Sequence, residues 1–103
     1  MGDRSRIVIT SKEFTAPIHL YGHYSGLDNL QAVKNVLEVT DRVGDPNYLT
    51  AQLFFEFGRL GGYDGKLGFG IGSYDEWDSM DDRDPVIVNA DTGGYSFGGV
   101  ELA

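Results

Sequence analysis

"DRVGDPNYLTAQLFFEFGRLGG", Asp41 to Gly62, sets the plan of the whole chain. Leu49, Leu53, Phe57 and Leu60 recur at helical spacing, and Phe54 widens the stripe they form. Asp45-Pro46 predicts the start of this helix: a carboxylate at the N-cap, then proline at the first helical position, where its missing N–H is no loss. Gly61 and Gly62 stop it. Upstream, Leu30, Val33, Leu37 and Thr40 predict another helix. It begins at Asp28, which has capping-box spacing to Gln31, and Gly44 suits the C′ position that ends it. Two helices joined by so short a link form a helical hairpin.

On either side the pattern changes to strands. "RIVIT" (Arg6–Thr10) and "PIHLYGHY" (Pro17–Tyr24) are rich in β-branched and aromatic residues, with "SKEFTA" as the loop between them. After the hairpin, "KLGFGIGSY", "PVIVNA" and "GYSFGG" predict three more, the last two joined by "ADTGG", in which Gly93 can supply a positive φ. Eleven of the fifteen glycines lie from Gly58 onward, as a turn-rich β half requires. The order is ββααβββ, an α+β fold. Its most economical packing is an antiparallel or mixed sheet of about five strands with the helical hairpin on one face. At 103 residues, 1–103 is one domain with one core.

The composition excludes several functions. No run of 18 apolar residues is present, so no membrane span is expected, and the first residues lack the apolar stretch of a secretory signal. Without cysteine there are no disulfides and no thiolate metal sites. The net charge is -8, and the eight Lys and Arg are scattered rather than gathered in a stripe, which argues against direct binding to nucleic acid.

The charge is concentrated in the loop 74–84, "YDEWDSMDDRD", expected to lie between strands. Within it, residues 75–84 set six carboxylates against Arg83 alone, a net of -5, so the other 93 residues carry only -3. No calcium loop of the EF-hand kind fits: a start at Asp78 puts Met80 at position 3 and Arg83 at the glycine position, and a start at Asp75 puts Trp77 at position 3. The plainest reading is a solvated loop anchored by Trp77 and Met80. The functional one is a negative recognition patch, Asp75, Asp78, Asp81 and Asp82 around Trp77, with the aromatic centre expected of an interaction hot spot.

Other motifs weigh less. Asp91-Thr92-Gly93 spells the triplet of aspartic proteases, but eleven residues after Thr92 are too few for the rest of such a site, and a hairpin turn is expected. His19, Tyr21 and His23 alternate along one strand face. The histidines then stand roughly 13 Å apart, too far to share a metal; His19 is expected to be half-exposed, and His23 lies where strand passes to helix. Gly68, Gly70 and Gly72 fall on one face of their strand, a smooth trough over which a ring, a backbone or a ligand can lie. With His23 and Tyr21 they form a candidate site for a nucleotide-like ligand, although the spacing is not that of a dinucleotide fingerprint. No spacing selects a nucleophile with its base, so no catalytic residue, metal or cofactor is assigned and no enzyme is expected.

Taken in order, "IHLYGHYSG", "DPNYLTAQLFFEF", "GFGIGS" and "PVIVNADTGG" resemble a family of small proteins encoded by actinobacterial phages and prophages. Its pattern is an aromatic strand ending in Tyr-x-His-x-x-Gly, a helix with Asp-x-x-Tyr-Leu, a Gly-x-Gly-Ile strand and an apolar strand ending at Asp. Tyr21, His23, Gly26, Asp45, Tyr48, Leu49, Gly68, Gly70, Ile71 and Asp91 match, and the resemblance covers roughly residues 17–95. It implies an intracellular, non-virion product in the cytoplasm of a bacterial host, acting on a host or defence protein. A homo-oligomer is left open.

Overall fold

The structure, a computed structural model, describes residues 4–22, 26–61, 68–73 and 83–103. Its elements are β1 (Ser5–Thr10), β2 (Ile18–Gly22), α1 (Asp28–Val39), α2 (Pro46–Leu60), β3 (Phe69–Ser73), β4 (Val86–Asn89), β5 (Tyr95–Phe97) and β6 (Val100–Glu101). The fold is α+β, and the sheet is mixed, with strand order β3-β2-β1-β4-β5-β6. Among the described residues β1 and β4 pair in parallel and the other pairs are antiparallel.

Strand alternation divides the sheet into two faces. Ile7, Ile9, Leu20, Val86 and Val88 face the helices and meet Ala32, Val33, Val36, Leu49, Leu53 and Phe57 in one buried cluster. Phe69 closes it at the β3 edge, its ring edge-on to Phe54 (centroids 6.4 Å) and Phe57 (5.5 Å), which sets α2 over that edge. Asn29 sets α1. Fully buried, it donates from Nδ2 to the carbonyls of Arg6 and Asp84 at 3.0 Å each and accepts the Leu30 N–H at Oδ1, so its polar atoms are matched inside the core.

The inward stripe of α2 is as predicted, with Leu49, Leu53 and Phe57 buried and Phe54 and Leu60 partly so. Pro46 stands in the first turn and the helix ends at Gly61. Other expectations are corrected. Among the described residues the sheet has six strands rather than about five, because Val100–Glu101 folds back on β5 as a short edge strand. Neither helix is capped by a side chain: the N-cap of α1 is Leu27, with Asp28 inside the first turn, and the Asp45 carboxylate lies 3.5 Å from Arg42 Nη1 instead of on the α2 amides. The buried face of α1 is Asn29, Ala32, Val33 and Val36, while Leu30 and Leu37 only flank it, so the stripe sits about one residue from its expected place. Gly44 is not the C′ residue, since α1 ends at Val39 with Thr40 as its C-cap; at φ 91° it turns the chain into α2 and donates to the Ala90 carbonyl at 2.7 Å. Gly93, at φ 82°, makes the expected turn between β4 and β5.

Candidate interaction face

One helix is apolar on two sides. At about 100° per residue, Phe55 lies roughly 200° around α2 from both Leu53 and Phe57. Tyr48, Ala51 and Phe55 follow at i, i+3 and i+7 on the side facing away from the sheet. Phe55 is 76% exposed and Tyr48 58%. Across from them on α1, Val39 is 84% exposed. Between the helices runs a groove of about 440 Å³, with Val36, Val39, Ala51 and Phe55 as its apolar lining.

Polar residues fix the walls of this groove. Thr40 Oγ1 donates to Gln52 Oε1 at 2.5 Å, tying the end of α1 to the middle of α2. Glu56 accepts from Arg59 Nε (2.6 Å) and Nη2 (2.8 Å) and from Asn35 Nδ2 (2.8 Å), while Asn35 Oδ1 accepts from Gln31 Nε2. These donors, Arg59 first, pull the Glu56 carboxyl down to about 2. At the tip of the hairpin Arg42 lies over the Tyr48 ring, 4.5 Å from its centroid, between Asp41 (3.7 Å) and Asp45 (3.5 Å). Both arginines are thus engaged within the hairpin, leaving an apolar centre inside a polar rim on a chain of net charge -8.

The glycine strand presents a different picture. The register sets Tyr21 beside Gly70 and His19 beside Gly72, on the sheet face turned away from the helices. A Cβ built on Gly70 would overlap the Tyr21 ring, so the trough at this point holds a side chain of the neighbouring strand. Arg6 lies over the same ring, 5.9 Å from its centroid, and its Nη1 is 3.1 Å from His19 Nδ1. A guanidinium has donors only, so Nδ1 is the accepting nitrogen. His19 is fully buried, not half-exposed as expected. Gly68 lies just before β3.

Asp91 is structural in its geometry. Oδ1 accepts from Ser11 Oγ at 2.9 Å and Oδ2 from the Lys12 N–H at 2.8 Å, latching the β4–β5 turn to the β1–β2 loop. The Lys12 amide and then the Ser11 hydroxyl hold its carboxyl below the usual range.

Trp77, Asp75, Asp78, Asp81, Asp82 and His23 lie outside the described residues. Among the described residues no group of His, Cys, Asp and Glu is placed to hold a metal ion. No described helix is long and apolar enough to cross a membrane. The exposed pair Phe55 and Val39 was missed by periodicity. The signal for Phe55 was the run "FFEF", whose three phenylalanines cannot share one face of a helix. Comparisons of the chain with protein-family models, curated proteins and solved structures give no match.

Proposed function

We propose that this protein is a small acidic binding module that docks another protein in the groove between α1 and α2. The partner presents an apolar side chain ringed by lysine or arginine. The observation that carries this reading is the second apolar stripe of α2: a helix whose core face is already buried has no internal use for Phe55. Aromatic side chains beside a groove are the usual anchors of an interface. Net charge -8 supports a basic partner and rapid, salt-sensitive encounter, to which Asp75, Asp78, Asp81 and Asp82 contribute. The resemblance to phage-encoded proteins supports a host or defence protein of the bacterial cytoplasm as the target.

The rival reading, sequestration of a nucleotide-like ligand at Tyr21, His23 and the glycines, has less support, because the Tyr21 ring already takes the space over Gly70. The test is capture from bacterial lysate with the parent, Phe55→Glu, Val39→Glu and, as a control on another surface, Ile71→Lys. Proteins held by the parent and by Ile71→Lys should be lost from both groove variants and released by salt. Equal capture by a folded Phe55→Glu sinks the groove reading.

A further inference from the structure

The sheet face away from the helices carries a second hollow, of about 450 Å³, over β4, β5 and β6. Strand register builds it. Ile87 of β4 pairs with Ser96 of β5, and Ser96 with Glu101 of β6, so these three side chains form one row across the sheet. Thr10 and Asn89, paired across β1 and β4, form the next row, and Thr92 stands at the turn beyond it. Ile87 is partly exposed and supplies an apolar floor.

The hydrogen bonds already made leave a mixed set of groups around this floor. Asn89 Oδ1 accepts from the Asp91 N–H, so its amide N–H₂ faces outward as a donor. Thr92 Oγ1 accepts from the Gly94 N–H and keeps its own proton to give. Thr10 Oγ1 gives its proton to the Val88 carbonyl and keeps its lone pairs. The Ser96 hydroxyl can do either, and the exposed Glu101 carboxylate only accepts. Donors and acceptors gathered around one hollow suit vicinal hydroxyls, because each hydroxyl gives one proton and accepts others. Among the described residues the lining holds the Glu101 carboxylate and no cation, which repels phosphate and other anions. We infer that this hollow binds a neutral saccharide, one C–H face of the ring on Ile87 and its hydroxyls on Asn89, Ser96 and Glu101. This site is separate from the groove between the helices and does not depend on that reading.

Titration of ¹⁵N-labelled protein with glucose, galactose and N-acetylglucosamine, followed by amide shifts, tests it. At least one sugar should give saturable shifts centred on the Asn89 side-chain amide and the backbone amides of Ser96 and Glu101. Glu101→Ala and Ser96→Ala should each weaken that sugar about fivefold to tenfold, the loss of one hydrogen bond, part of it charge-assisted. Glu101 is exposed on a two-residue edge strand, so its variant decides the matter even if Ser96→Ala disturbs the sheet. Three results overturn the inference: no saturable shift with any of the sugars, shifts centred elsewhere, or binding undiminished in Glu101→Ala. Inorganic phosphate should leave the same amides unmoved, and phosphate bound there overturns it equally.

Discussion

Glu56 accepts three hydrogen bonds and so links α1 to α2 through charge. Its carboxyl is lowered from 4.5 to about 2, so the ionised form is the one the fold favours. A carboxyl depressed in this way stabilises the fold above its free value and loses that contribution as pH falls from about 4.5 toward 2. Asp91 has the same sign, and Asp28, raised by burial, the opposite one. Glu56→Gln should therefore flatten the fall in melting temperature across that acid range; a profile parallel to the parent's would show that Glu56 is not a titrating contributor. Gly70 makes a separate point. With the Tyr21 ring over it, Gly70→Val should destabilise by roughly 1–3 kcal/mol, read by denaturant unfolding. Unchanged stability would mean that the ring moves aside freely and the trough is open to a ligand. The role of Glu56 was not legible in the chain, and that of Gly70 only in part. Glycine at every second position shows a flat face, but which neighbour lies on it depends on the pairing of β3 with β2.

On α2 the two apolar sides have different work, and substitution separates them. Leu53→Ala should cost about 2–5 kcal/mol, because it empties a fully buried position between helix and sheet. Phe55→Ala should change stability by no more than about 0.5 kcal/mol while abolishing partner capture, since its ring is mostly in solvent. A large loss of stability in Phe55→Ala would assign that ring to the fold instead. Periodicity located the inner stripe of α2 because four residues at helical spacing leave little choice. It misplaced α1, whose inner face is small and partly polar. There Ala32 and the fully paired Asn29 are buried, and the larger Leu30 and Leu37 are left at the flanks. The α1 helix packs on the parallel pair β1 and β4, where Asn29 bonds to the Arg6 and Asp84 carbonyls, and apolar size alone does not reveal that.

The charge of the molecule belongs to its encounters more than to its fold. Asp78, Asp81 and Asp82 changed together to Asn should slow association with a captured partner and flatten its dependence on salt, with stability nearly unchanged. Stopped-flow binding over a salt series measures this, and an association rate that ignores both the substitutions and the salt would remove these carboxylates from the interaction. The sheet itself depends on contacts distant in sequence. β1 pairs in parallel with β4 some eighty positions later, so the two halves of the chain meet at the centre of the sheet. The latch from Asp91 to Ser11 and Lys12 spans the same distance.

The chain by itself determined the α+β class, the helical hairpin between two β segments, the inner face of α2 and the turn at Gly93, because spacing, proline and glycine act within a few residues of one another. Tertiary structure alone decided the strand order, the sixth strand and the side chains that meet across it. Arg6 reaches His19, Tyr21 covers Gly70, and Ser96 stands between Ile87 and Glu101 only once register is set. Register comes from the burial of one whole sheet face against the helices, where a slip of a single residue would turn every core side chain to water.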